Sequence, residues 1–106
     1  MKILFDQGTP VPLRHELPDH EVSTAHEMGW GRLSNGDLLS AAEAAFDLLI
    51  TTDQNLRHQQ RTSGRRLAIL ALMTTSWPRI KRHAALVAAA IATVRPGEYV
   101  ELALPR

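Results

Sequence analysis

Leu48-Leu49-Ile50-Thr51-Thr52-Asp53 decides the fold. A short apolar run bounded by polar residues reads as a strand buried on both faces, the signature of a central strand in a parallel sheet. The run ends in a carboxylate. That carboxylate stands just past the strand's carboxyl end, where open α/β sheets bind ligands. Lys2-Ile3-Leu4-Phe5-Asp6 repeats the arrangement at the start of the chain. If the two strands are neighbours, Asp6 and Asp53 converge. A hard divalent cation is then the natural counter-ion, because Mg²⁺ takes carboxylate oxygens and keeps several waters. The alternative role of each residue is a turn or helix cap, since Asp is a favoured N-cap.

Working outward, strands alternate with helices, which predicts an α/β domain: a mostly parallel sheet of about five strands flanked by helices. After Asp6, Gln7-Gly8-Thr9-Pro10 turns the chain into a short helix over about Val11 to Leu17, ended by Pro18. His20 to Ala25 reads as an edge strand, and His26 to Arg32 as a glycine-containing loop with Trp30 at its tip. Ser34 opens a helix to about Phe46, with Leu38, Leu39, Ala42, Ala45 and Phe46 on one face. Gln54 to Thr62 is polar and amide-rich and predicts a short helix broken by Gly64. Leu67 to Met73 is a fourth strand. One long helix follows from Pro78, with Ile80, Ala84, Val87, Ile91 and Val94 in phase, until Arg95-Pro96-Gly97 stops it. Tyr99 to Leu104 is expected as a last edge strand.

The 106 residues suit a single domain, 1–106, with ordinary apolar (44%) and charged (22%) fractions. A formal charge of +1 argues against a strongly basic nucleic-acid module while leaving room for local patches. No cysteine is present, which removes disulfides, thiolate metal sites and cysteine nucleophiles. No segment is long and apolar enough for a signal peptide or a bilayer span, so the expectation is a soluble cytoplasmic protein without a membrane partner. No phosphate loop of Walker or Rossmann type and no Gly-x-Ser-x-Gly occurs, which weakens nucleotide hydrolysis and acyl transfer.

Other side chains are secondary candidates. Asp37 lies at the start of the helix opened by Ser34, where it resembles the second member of a capping box. Asn35 is the neutral alternative at the same helix start. Glu43, at the border of the apolar stripe, is the remaining acid near the set. Thr52 and Asn55 flank Asp53 and are accessory candidates. Arg57 and Arg61, with Arg65 and Arg66, form one basic group, and Arg79, Lys81 and Arg82 form another. Such groups can hold a phosphate backbone, and the first is preferred for that role. Trp30 and Trp77 offer stacking surfaces for bases, Trp77 more naturally as a core anchor. The five histidines show no zinc spacing.

Three segments in order resemble small bacterial PIN-like proteins: Met1 to Pro10, Asn35 to Glu43, and Leu49 to Leu56. They cover roughly the first 60 residues. The resemblance implies a three-layer PIN-like fold and Mg²⁺- or Mn²⁺-dependent endoribonuclease chemistry on single-stranded RNA. It places the family's acids on Asp6, Asp37 and Asp53, with Asn35 an alternative to Asp37. It further implies the toxin of a toxin–antitoxin pair, hence an antitoxin protein as partner. A fourth acid of the larger PIN domains has no counterpart, so the alternative is a catalytically weak module that binds RNA or a partner protein. A homodimer is a further expectation, from the apolar stripe of the long helix. A flavodoxin-like receiver ranks last, because Asp6 stands alone and no Lys follows the fifth strand.

Overall fold

A computed structural model describes all of residues 1–106. Five strands, β1 (Lys2–Phe5), β2 (Glu21–Thr24), β3 (Leu48–Thr51), β4 (Ala68–Leu72) and β5 (Tyr99–Leu102), form one sheet of order β2-β1-β3-β4-β5. Every pairing is parallel. As the apolar run of residues 48–53 requires, β3 is central, and all four of its residues are buried. β2 and β5 are the edges.

Alternation along the strands splits the core into two layers, because successive side chains point to opposite faces. Ile3, Phe5, Leu48, Ile50, Leu70 and Leu72 face one way. They pack on Leu13 and Leu17 of a 3₁₀ segment (Val11–Glu16) and on α3 (Trp77–Arg82) and α4 (Ala84–Thr93). Leu4, Leu49, Leu67 and Ile69 face the other way, onto α1 (Asn35–Ala45) and α2 (Leu56–Gln59). The result is a three-layer α/β/α sandwich, as the sequence pattern implies. No helix is long and apolar enough to cross a membrane.

Two expectations need correction. The single long helix after Pro78 is two helices, broken at His83 (φ −113°, ψ 28°), whose N–H lies 3.2 Å from the carbonyls of both Arg79 and Ile80. The apolar stripe stays in phase across the break, since Ile80, Val87 and Ile91 are all buried. Periodicity alone therefore gave no sign of it. The amide-rich segment is helical only over Leu56–Gln59. Leu56 is its one buried residue, too little apolar surface to hold a longer helix.

In a sheet of order 2-1-3-4-5 the chain leaves β1 in opposite directions on its two sides, so the switch point lies between β1 and β3. Ile3, Leu4 and Phe5 pair with Leu48, Leu49 and Ile50, which brings both aspartate-terminated ends to the same edge.

Candidate active site: a two-aspartate cleft

One cleft of about 270 Å³ opens at that switch point. Asp6, Gln7 and Gly8 line it from the end of β1, and Thr52 and Asp53 from the end of β3. Trp30 and Leu33 of the loop after β2, with Asn35 and Leu38 of α1, close the other side. No Lys, Arg or His lines it. Two carboxylates without a cation between them make a concentrated negative field in a partly dry space.

Asp6 is held by hydroxyls. Its Oδ1 accepts from the Thr9 hydroxyl at 2.6 Å and the Thr9 N–H at 3.1 Å, and its Oδ2 accepts from the Thr51 hydroxyl. The Thr9 oxygen also lies 2.9 Å from the Ile50 carbonyl, so one proton faces two acceptors. Burial pushes the Asp6 carboxyl above its ordinary range; the Thr51 and Thr9 hydrogen bonds pull the other way, and the Asp53 charge adds to the rise. Both acids line the same cleft, where a like charge disfavours the ionised form of Asp6.

Asp53 is fixed from both sides. Its Oδ1 accepts from the Asn55 N–H at 2.9 Å and its Oδ2 from the Asn35 amide at 3.4 Å. Its own N–H donates to the Thr51 hydroxyl at 3.0 Å. Thr51, a buried Thr in an otherwise apolar strand, therefore ties the two acids into one chain: the Asp53 N–H donates to Thr51, and Thr51 donates to Asp6. Gly8 lets the β1 loop come this close. A Cβ there would lie 2.7 Å from the Thr52 hydroxyl oxygen.

The remaining sequence candidates divide sharply. Asn35 lines the cleft and Asp37 does not. Asp37 is exposed, with its N–H bonded to the Ser34 hydroxyl at 3.3 Å, and the reciprocal half of the capping box is not formed. Residues two apart on a helix point about 200° apart, so only one of the pair can face the acids. Glu43 is engaged elsewhere, by an ion pair to Arg65 at 3.1 Å and the Arg66 N–H at 2.6 Å. Asn55 helps through its backbone, and Thr52 is buried against Gly8. Arg57 pairs with Glu101 at 2.9 Å and lies 4.7 Å from the centre of the Tyr99 ring, while Arg61 is exposed and has no carboxylate partner. Neither Thr9 nor Thr51 belongs to the set the sequence pattern singles out; for Thr51 the signal is a hydroxyl inside a buried strand, which needs a partner.

Nowhere does the chain gather three or more His, Cys, Asp or Glu side chains suited to a metal. The cleft offers two carboxylates, one of them oriented by the Asn35 amide N–H. That set fits one Mg²⁺ or Mn²⁺ completed by water, since Mg²⁺ is commonly held by only one or two carboxylates. It does not fit two ions. Searched against protein-family models, characterised proteins and solved structures, the chain matches none of them, and the chemistry of this cleft carries the functional argument.

Proposed function

We propose that the chain is a metal-dependent endoribonuclease whose site is the Asp6–Asp53 cleft. The observation that carries this reading is the convergence of two carboxylates at the β1/β3 switch point with no cation from the protein to balance them. Asp6 and Asp53 would hold one Mg²⁺ or Mn²⁺, with the Asn35 amide N–H orienting the Asp53 carboxylate. When bound, such an ion activates water for attack on a phosphodiester and offsets charge in the transition state. Thr9 and Thr51 keep the Asp6 carboxylate in one orientation, so little reorganisation accompanies ligand binding. Trp30, half-buried and edge-on to Phe46 at 6.0 Å between centroids, forms one wall where a base of single-stranded RNA can rest.

A second reading is favoured by one specific observation. With Asp37 outside the cleft, the acid set is thinner than the PIN-like resemblance implies. That suits a module which binds RNA or a partner protein with little or no turnover. A receiver-type phosphoacceptor has less support, because no Lys lines the cleft. In the toxin version of the main reading, an antitoxin encoded beside the gene would co-purify with the chain and suppress cleavage.

The test is incubation of purified protein with single-stranded RNA and Mg²⁺, alongside Asp6→Asn and Asp53→Asn. Cleavage by the unsubstituted chain alone is expected. Equal cleavage by all three would remove the cleft from the reaction, and binding without cleavage would favour the second reading.

A further inference from the structure

Charge is strongly segregated along this near-neutral chain. Residues 1–53 hold nine of its eleven acids, whereas residues 54–97 contain eight Lys or Arg and no acid. Folding neutralises part of the basic half. Arg57 pairs with Glu101, Arg65 with Glu43, and Arg66 with Asp47 at 3.6 Å. These include most of the group that the sequence pattern favours for RNA binding.

The other group is left free. Arg79, Lys81 and Arg82 enter no ion pair and make no side-chain hydrogen bond. All three lie on α3, whose single buried residue is Ile80. At about 100° per residue, Arg79 and Lys81 flank Ile80 and Arg82 lies nearly opposite it beside exposed Pro78, so every charged residue on the helix is a cation turned away from the core. Neither α3 nor α4 carries a carboxylate to balance them.

The position matters as much as the charge. β4 pairs with β3 in parallel, with Thr51 level with Ala71. The chain therefore leaves β4 beside Asp53 at the same edge of the sheet, about one strand spacing (~4.8 Å) away. Only Met73-Thr74-Thr75-Ser76 separates that edge from α3. Trp30 and α1 belong to one helical layer and α3 to the other, with the acid pair on the sheet edge between them.

We infer that Lys81 and Arg82, with Arg79 beside them, hold the phosphate backbone of a single-stranded RNA that crosses the sheet edge over the Asp6–Asp53 pair. The inference rests on the proposed ribonuclease reading for the identity of the polyanion. The phosphates on one side of the scissile bond lie against α3, and the bases on the other side lie toward Trp30. This division solves an electrostatic problem of the cleft, which by itself repels RNA. Attraction comes from a surface set apart from the acids, so the acids keep their affinity for a cation.

The test is fluorescence anisotropy of a labelled single-stranded oligoribonucleotide in EDTA, repeated over a series of salt concentrations. The proteins are the unsubstituted chain, Lys81→Ala/Arg82→Ala, and Arg95→Ala. Both Lys81 and Arg82 are exposed, so their loss leaves the core intact. Arg95 is an equally unpaired cation past the far end of α4 and controls for net charge. Expected is a loss of affinity of about tenfold or more in the double variant, with the salt slope falling by about 1.4, or 0.7 for each lost phosphate contact on a single strand. Arg95→Ala should bind as the unsubstituted chain does. No binding by the unsubstituted chain, an unchanged double variant, or an equal loss in Arg95→Ala would each overturn the inference. Tighter binding of poly-glutamate than of the RNA at matched charge and length would reassign the surface to an acidic protein. Because EDTA prevents metal-dependent cleavage, this outcome is read independently of whether the Asp6→Asn comparison upholds the nuclease.

Discussion

Thr51 is the residue through which the two acids feel each other, and Thr51→Val tests that role. The substitution keeps shape and burial in a side chain that has no exposed surface. It removes the hydroxyl that donates to Asp6 Oδ2 and accepts from the Asp53 N–H at 3.0 Å. A hydrogen bond to a charged group contributes about 1.5–3 kcal/mol, and leaving a backbone N–H short of a partner adds roughly 1 kcal/mol. The added methyl returns about 1 kcal/mol of apolar burial. The net loss is about 2 kcal/mol. In a domain of this size that lowers Tm by roughly 8 °C. The assay is urea and thermal denaturation at neutral pH in EDTA. A double-mutant cycle with Asp6→Asn should show a coupling of about 1 kcal/mol or more, because the two changes act on one hydrogen bond. The loss should shrink in acid, where Asp6 is neutral in every variant and the charged hydrogen bond no longer exists. A Thr51→Val protein as stable as the parent at neutral pH, with no coupling to Asp6, would refute the hydroxyl bridge.

Other outcomes follow from the same geometry. The raised Asp6 pKa means that the unfolded chain, with a carboxyl near 3.8, releases its proton before the folded chain does. Asp6 therefore lowers stability as pH rises from that ordinary value through the raised folded one. Melting curves in EDTA should show Asp6→Asn gaining on the parent across that interval, and the gain vanishing below it. A difference independent of pH would count against the burial argument. Gly8→Ala forces a Cβ against the Thr52 hydroxyl and should cost about 1–3 kcal/mol of stability together with cleavage, read by denaturation and RNA assay. Asn35→Ala should impair RNA cleavage while Asp37→Asn leaves it near the parent rate; the reverse order would restore Asp37 to the site. Trp30→Ala should weaken binding of single-stranded RNA by about 1–3 kcal/mol if a base stacks there, read by anisotropy in EDTA.

The architecture was largely legible because its strands are unambiguous. Residues 48–51 and 68–72 are short apolar runs that neither an amphipathic helix nor a loop would contain, and burial of every residue in both is what a parallel core demands. Asp6 and Asp53 were legible for the same reason, since each is fixed relative to a strand end. Which residue of α1 lines the cleft beside them was not. Its choice depended on the rotation of α1 about its axis, and a shift of two residues, about 200° of phase, decides whether Asn35 or Asp37 faces the cleft. The basic residues were less legible still. Which arginines are neutralised depends on carboxylates far away in sequence, as the Arg57–Glu101 and Arg65–Glu43 pairs show, and no local pattern encodes them. The break at His83 was hidden because the buried stripe runs through it unaltered.

Mn²⁺ titration followed by electron paramagnetic resonance, with the unsubstituted chain, Asp6→Asn and Asp53→Asn, addresses the shared cation most directly. One bound ion per chain is expected for the parent, with affinity lost in either single variant, because neither carboxylate suffices without the other. Retention of the ion by both variants, or no ion bound by the parent, would contradict the proposal that Asp6 and Asp53 form one site.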